Sequence, residues 1–87
     1  MTKLAAYNHY NAAIALRDRI LDGKSNERPV QAWAAVAREC AKAENAYRVA
    51  TEGHIHGRSD QSFLTNLDKI SWAARAQVET LAKEAGR

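Results

Sequence analysis

Three glycines and one proline decide how this chain divides, because they interrupt a sequence otherwise built from helix formers. Gly23, Gly53 and Gly86 each follow a long segment of helical periodicity, where a helix needs a residue that tolerates the left-handed C′ conformation. Pro29 follows the polar stretch Lys24-Ser25-Asn26-Glu27-Arg28 and suits a first helical turn, where its missing N–H has no intrahelical partner to lose. Ser25 and Asn26 are the N-cap candidates for that helix, and Ser59 and Asp60 for the next. Three helices are predicted, near residues 3–22, 27–52 and 60–85. Valine and isoleucine are few beside alanine, and no alternating strand pattern competes. Short connections make sequential helices antiparallel, so the expected fold is all-α. It is an up-down-up three-helix bundle, or a helical hairpin with the third helix across it.

A chain of 87 residues cannot build two cores, so residues 1–87 are read as a single helical domain. A bundle of this size has little burial to spare, and self-association, a dimer above all, would add to it. No run approaches the roughly 20 apolar residues of a membrane span. The N-terminal stretch meets Asn8, His9 and Asn11 too early to form a secretory core. The single Cys rules out an internal disulfide and suits a reducing compartment, so a cytoplasmic location is expected.

Plotted at 100° per residue, the second helix turns Val30, Trp33, Val36, Ala37, Cys40, Ala43 and Tyr47 inward. Cys40 falls in the middle of that face and reads as a small buried hydrophobe, because a nucleophilic thiol needs an electropositive, accessible setting. The third helix turns Phe63, Leu67, Ile70, Ala74, Val78, Leu81 and Ala85 inward. Its outer face carries Asp68, Arg75, Glu79 and Lys83, and Trp72 stands among them. Burying a Trp removes about 150–250 Å² from water, so an indole on a charged face requires a cover or a partner. The 53–58 loop or the N-terminus is the internal cover available. The alternative is an interface anchor, since Trp is enriched among binding hot spots, with Asp68, Arg75 and Glu79 as its polar rim.

The first helix is apolar over about half its circumference: Ala6, Tyr7, Tyr10, Ala13, Ile14, Leu16, Ile20 and Leu21. Arg17 falls inside that arc, near Tyr10 and Leu21. A bare charge there costs several kcal/mol, so Arg17 must snorkel, pair internally or meet an anion or a partner carboxylate. Arg17 with Tyr10 is therefore the second expected patch.

Catalytic chemistry is missing from the sequence. It has no Gly-rich phosphate loop, no nucleophile elbow and no distinctive carboxylate pair. His54 and His56 in Gly-His-Ile-His-Gly-Arg have only His9 or Cys40 as distant companions, short of a four-ligand structural zinc. No metal, no cofactor and no enzymatic activity are expected. Nucleic acid or a nucleotide phosphate is the competing ligand. Arg19, Lys24 and Arg28 bracket the first turn, Arg38 and Lys42 share one face of the second helix, and His54, His56 and Arg58 precede the third. These are the candidate phosphate or anion contacts. The basic excess is nevertheless only +3, graded from +2 over residues 1–24 to zero over residues 59–87, with no dense Arg/Lys run. The expected function is thus non-catalytic binding of a protein partner, as an inhibitor, adaptor or regulatory subunit. Phage-type inhibitors of host systems include many small helical chains of this kind.

Overall fold

The computed structural model describes residues 3–54 and 57–85. They form α1 (Lys3–Leu21), α2 (Pro29–Ala50) and α3 (Arg58–Ala85), and no strand occurs among the described residues. Both α1 and α3 pack along α2, giving an all-α three-helix bundle. The 28 residues of α3 span ~42 Å at 1.5 Å per residue. That is almost the whole 44 Å long axis of the molecule. No described helix is long and apolar enough to cross a membrane.

The core is a narrow stripe on α2: Ala32, Val36, Cys40, Ala43 and Tyr47 are all buried. Ala13 of α1 and Leu67, Ile70 and Ala74 of α3 close on it. Five of the ten buried hydrophobic residues are alanines, so the helix axes can approach toward the close end of the usual 8–10 Å range. The predicted inner faces meet this core only in part: on α3, Leu67, Ile70 and Ala74 are buried, Phe63, Val78 and Leu81 are half-buried, and the Ala85 side chain lies outside the described residues. Val30, Trp33 and Ala37 are only half-buried, whereas Ala32, absent from the predicted face, is buried. A helix flanked on two sides buries the line between its neighbours. Ala32 lies on the α1 side of that line, which a single inward direction does not capture. Leu21, placed in the apolar arc of α1, is 68% exposed at the helix end.

The helix ends correct three expectations. Neither Ser25 nor Asn26 caps α2: Arg28 is the N-cap, without a side-chain cap bond, and Pro29 opens the helix. Ser25 Oγ instead accepts the Glu27 N–H at 3.4 Å within the linker. At the end of α1 the C′ residue is Gly23, as predicted, with φ +73°. Its N–H donates to Ile20 O and the Lys24 N–H donates to Arg19 O, the paired bonds of a Schellman motif. At the end of α2 the same bonds run Glu52 N–H to Val49 O and Gly53 N–H to Arg48 O. The C′ residue is therefore Glu52, with φ +55°, and Gly53 follows it at +81°. Finally, α3 starts at Arg58, ahead of the predicted caps. Asp60 sits in its first turn, where its carboxylate faces the positive end of the helix dipole. Gly86 lies outside the described residues.

One end of the bundle is tied by aromatic rings around a carboxylate. Tyr47 of α2 is stacked on Phe63 of α3, with centroids 4.5 Å apart. Tyr7 and Tyr10 of α1 meet the same Phe63 at 5.3 and 5.2 Å. The Tyr47 hydroxyl donates to Asp60 Oδ1, and Lys3 Nζ lies 3.2 Å from the same oxygen. Asp60 thereby joins all three helices. The Tyr47 hydroxyl, followed by Lys3, holds the Asp60 carboxyl below the ordinary aspartate value of 3.8. Burial, with Asp60 beside it, pushes the Tyr47 phenol well above its ordinary value of 10.0.

Glu52→Gly removes a side chain from the left-handed region and should raise stability by about 0.5–1 kcal/mol, a shift of several degrees in Tm. Gly23→Ala should lower it by a similar amount, because nothing crowds its Cβ position and the cost is in the backbone alone. Thermal unfolding followed by circular dichroism checks both.

The Asp60 contribution is full above the ordinary carboxylate pKa and is lost as pH falls through the lowered folded value. The Tyr47 contribution is full below the ordinary phenol pKa and declines at higher pH, as the unfolded phenol ionises. Asp60→Asn should flatten the acid limb of the stability profile. Tyr47→Phe should remove the phenol's part of the alkaline decline and cost about 1–2 kcal/mol at neutral pH. Denaturant titrations from pH 3 to pH 11 read both limbs.

Candidate interaction surface

Trp72 lies on the side of α3 turned away from α2, and it is 73% exposed. The helical period dictates this placement. Leu67, Ile70 and Ala74 form the buried side, and Trp72 is 200° from Ala74 at 100° per residue. Asp68, Arg75 and Glu79 are exposed beside it. Glu79 Oε1 is 3.6 Å from Lys83 Nζ, a solvated i,i+4 pair of small energetic weight. No described side chain of α1 or of the loops is packed over the ring.

The second expected patch is arranged differently. Tyr10 is half-buried against Phe63 and the core cluster. Arg17 is half-exposed, and its Nη2 is 3.2 Å from Oδ1 of its neighbour Asp18. Of the alternatives open to a charge in that arc, Arg17 takes an internal pairing, with Nε and Nη2 both directed at Asp18 Oδ1.

The basic residues do not gather on one face. Arg19, Lys24 and Arg28 are exposed at the α1–α2 end, whereas His54 and Arg58 are exposed at the opposite, α2–α3 end. Arg38 and Lys42 occupy the outer side of α2 between them, and Lys42 Nζ lies 3.7 Å from Glu39 Oε1. His54 donates its N–H to Thr51 O in the turn. His56 lies outside the described residues.

His9 and Asp60 take part in polar contacts between helices rather than in metal binding or simple capping. His9 Nδ1 of α1 donates to Glu39 Oε2 of α2 at 2.7 Å, both groups being partly buried. Lys3 and Asp60 form the corresponding link between α1 and α3. Each joins residues 30 or 57 positions apart, so no local spacing rule reveals it. Among the described residues, no three His, Cys, Asp or Glu side chains come together as a metal site.

Cys40 is buried, and loss of solvation pushes its thiol up to about 11, with Arg75 opposing and Glu39 adding to the shift. At neutral pH the sulfur stays protonated and enclosed, which suits packing rather than nucleophilic attack. Two clefts flank the opposite end of the bundle. One lies between Leu16, Ile20 and Ala32 under the linker, with Arg19 and Ser25 at its mouth. The other is a shallow apolar groove between Pro29 and Val30 of α2 and Leu81 and Ala82 of α3.

No protein-family model matches this chain, and comparison with curated proteins and with solved structures gives no significant match.

Cys40 should resist a thiol-reactive disulfide reagent in the native protein and react fully once guanidinium unfolds it. Native labelling at the rate of a free thiol would contradict the enclosed placement.

Proposed function

We propose that this protein acts by binding another protein without catalysis, and that Trp72 is the anchor of the contact. The observation that carries this reading is the indole, 73% exposed on the outer side of α3. Exposed rings of this size cost little to desolvate and return a large apolar contact, and for that reason Trp leads the residue types found at binding hot spots. Asp68, Arg75 and Glu79 would serve as the polar rim that orients a partner. An inhibitor, adaptor or regulatory subunit working in the cytoplasm, with no metal or cofactor, fits such a surface.

The competing function is binding of nucleic acid or a nucleotide phosphate. The spread of the cationic groups over both ends and the outer side of the bundle weighs against it, because phosphate binding depends on several cations along one track.

Affinity capture from the source cell, with nuclease treatment and a salt series, separates the two. The wild-type protein should retain a protein partner after nuclease treatment and at raised salt. Trp72→Ala should weaken retention by about thirtyfold or more, the loss typical of a hot-spot truncation. Arg38→Glu with Lys42→Glu should leave it unchanged. If Trp72→Ala retains the partner fully while the Arg38/Lys42 variant loses bound nucleic acid, the phosphate reading replaces this one.

A further inference from the structure

The outer side of α3 carries more than an isolated ring. Thr65, Lys69, Trp72, Ala76, Glu79 and Lys83 recur at alternating steps of four and three, the spacing that keeps residues on one seam of a helix. All six are exposed. The charges on this seam oppose one another about the level of residue 74. Lys69 lies five positions before it and Glu79 five after; Trp72 lies two before it and Ala76 two after; Thr65 and Lys83 lie nine to either side.

We propose that a second copy of this chain docks on this seam, α3 against α3, antiparallel about a two-fold axis at the level of residue 74. This rests on the reading of the Trp72 face as a binding surface and names its occupant. In that register the seam positions meet in layers. Trp72 of each copy lies over Ala76 of the other, a large ring against a methyl group, so both rings are accommodated without collision. Lys69 of each copy faces Glu79 of the other, giving two opposite-charge pairs. A two-fold interface is self-complementary by symmetry, and these residues satisfy that condition.

The parallel arrangement fails on the same residues, because it sets Lys69 on Lys69, Glu79 on Glu79 and Trp72 on Trp72. Charge thus selects the orientation. One helix against one helix falls at the small end of specific interfaces, below about 1,200 Å², so the dimer is concentration-dependent rather than permanent. Self-pairing and capture of another protein then compete for one indole.

Sedimentation equilibrium over a concentration series tests the proposal with the full chain. Wild-type protein should show a reversible monomer–dimer equilibrium, and Trp72→Ala should be monomeric throughout. Lys69→Glu and Glu79→Lys should each weaken the dimer by roughly tenfold, since each places like charges in both pairs. The double variant Lys69→Glu/Glu79→Lys should recover it, because the swap restores opposite charges only in the antiparallel register. These side chains are exposed, and circular dichroism confirms that each variant keeps its helices.

Failure of the double variant to recover overturns the register. A wild-type chain that stays monomeric, while Trp72→Ala still loses a captured partner, removes the second copy and leaves the Trp72 face as a binding site. A wild-type dimer indifferent to Trp72→Ala puts the contact between copies elsewhere and overturns this proposal, while the capture experiment still decides the reading of the Trp72 face.

Discussion

The structure depends on one constraint: a single helix must bury a narrow line of mostly small side chains against two neighbours at once. On α2 that line runs Ala32, Val36, Cys40, Ala43, Tyr47. Three of the five side chains are methyl or thiol sized, so both flanking helices can come close and shield the line. The same economy limits how much apolar surface the fold removes from water. With alanine as half of the buried set, the bundle relies on its end contacts and polar links more than a leucine-rich bundle would.

Those end contacts are unequal. At the α2–α3 end, four aromatic rings and the Lys3–Asp60–Tyr47 node join all three helices. Burial of Tyr47 makes its hydroxyl costly to leave unpaired, and Asp60, from the first turn of the next helix, accepts its hydrogen bond. At the α1–α2 end no comparable cluster occurs among the described residues. Leu21 is exposed there, and Pro29, Val30, Leu81 and Ala82 line an open groove. The aromatic and ionic ties are therefore concentrated at the α2–α3 end. Trp72, midway along α3, belongs to neither end and plays no part in holding the monomer together.

Much of this was legible in the residues. Gly23 and Pro29 mark the α1–α2 connection because only a few backbone states are open to each. The inward positions of Val36, Cys40, Ala43, Leu67, Ile70 and Ala74 follow from helical periodicity, and so does the outward position of Trp72. The failures have equally local causes. Ser25 looks like a cap but lies too early, because Pro29 fixes the start of α2 and Arg28 inherits the cap position. Gly53 is left-handed as its position suggests, yet Glu52 adopts that conformation one residue earlier and takes the C′ position. Tyr10 and Arg17 share a bearing on α1, but Phe63 claims the tyrosine. No rule of short-range spacing contains that contact.

The sequence by itself determined the number of helices, the approximate turns between them, and which side of α3 would leave an indole in water. These are consequences of backbone propensity and a 3.6-residue period, both of which act within a few residues. Only the tertiary structure decided that α1 and α3 share α2 as their common wall, that Ala32 is buried, and that Asp60 binds both Tyr47 and Lys3. It also decided that His9 meets Glu39 and that the cationic groups are dispersed over both ends. Each of these joins positions distant along the chain or on different helices, and their meeting depends on the rotation and slide of whole helices against one another. Side-chain packing fixes those variables collectively, and no single stretch of residues encodes them.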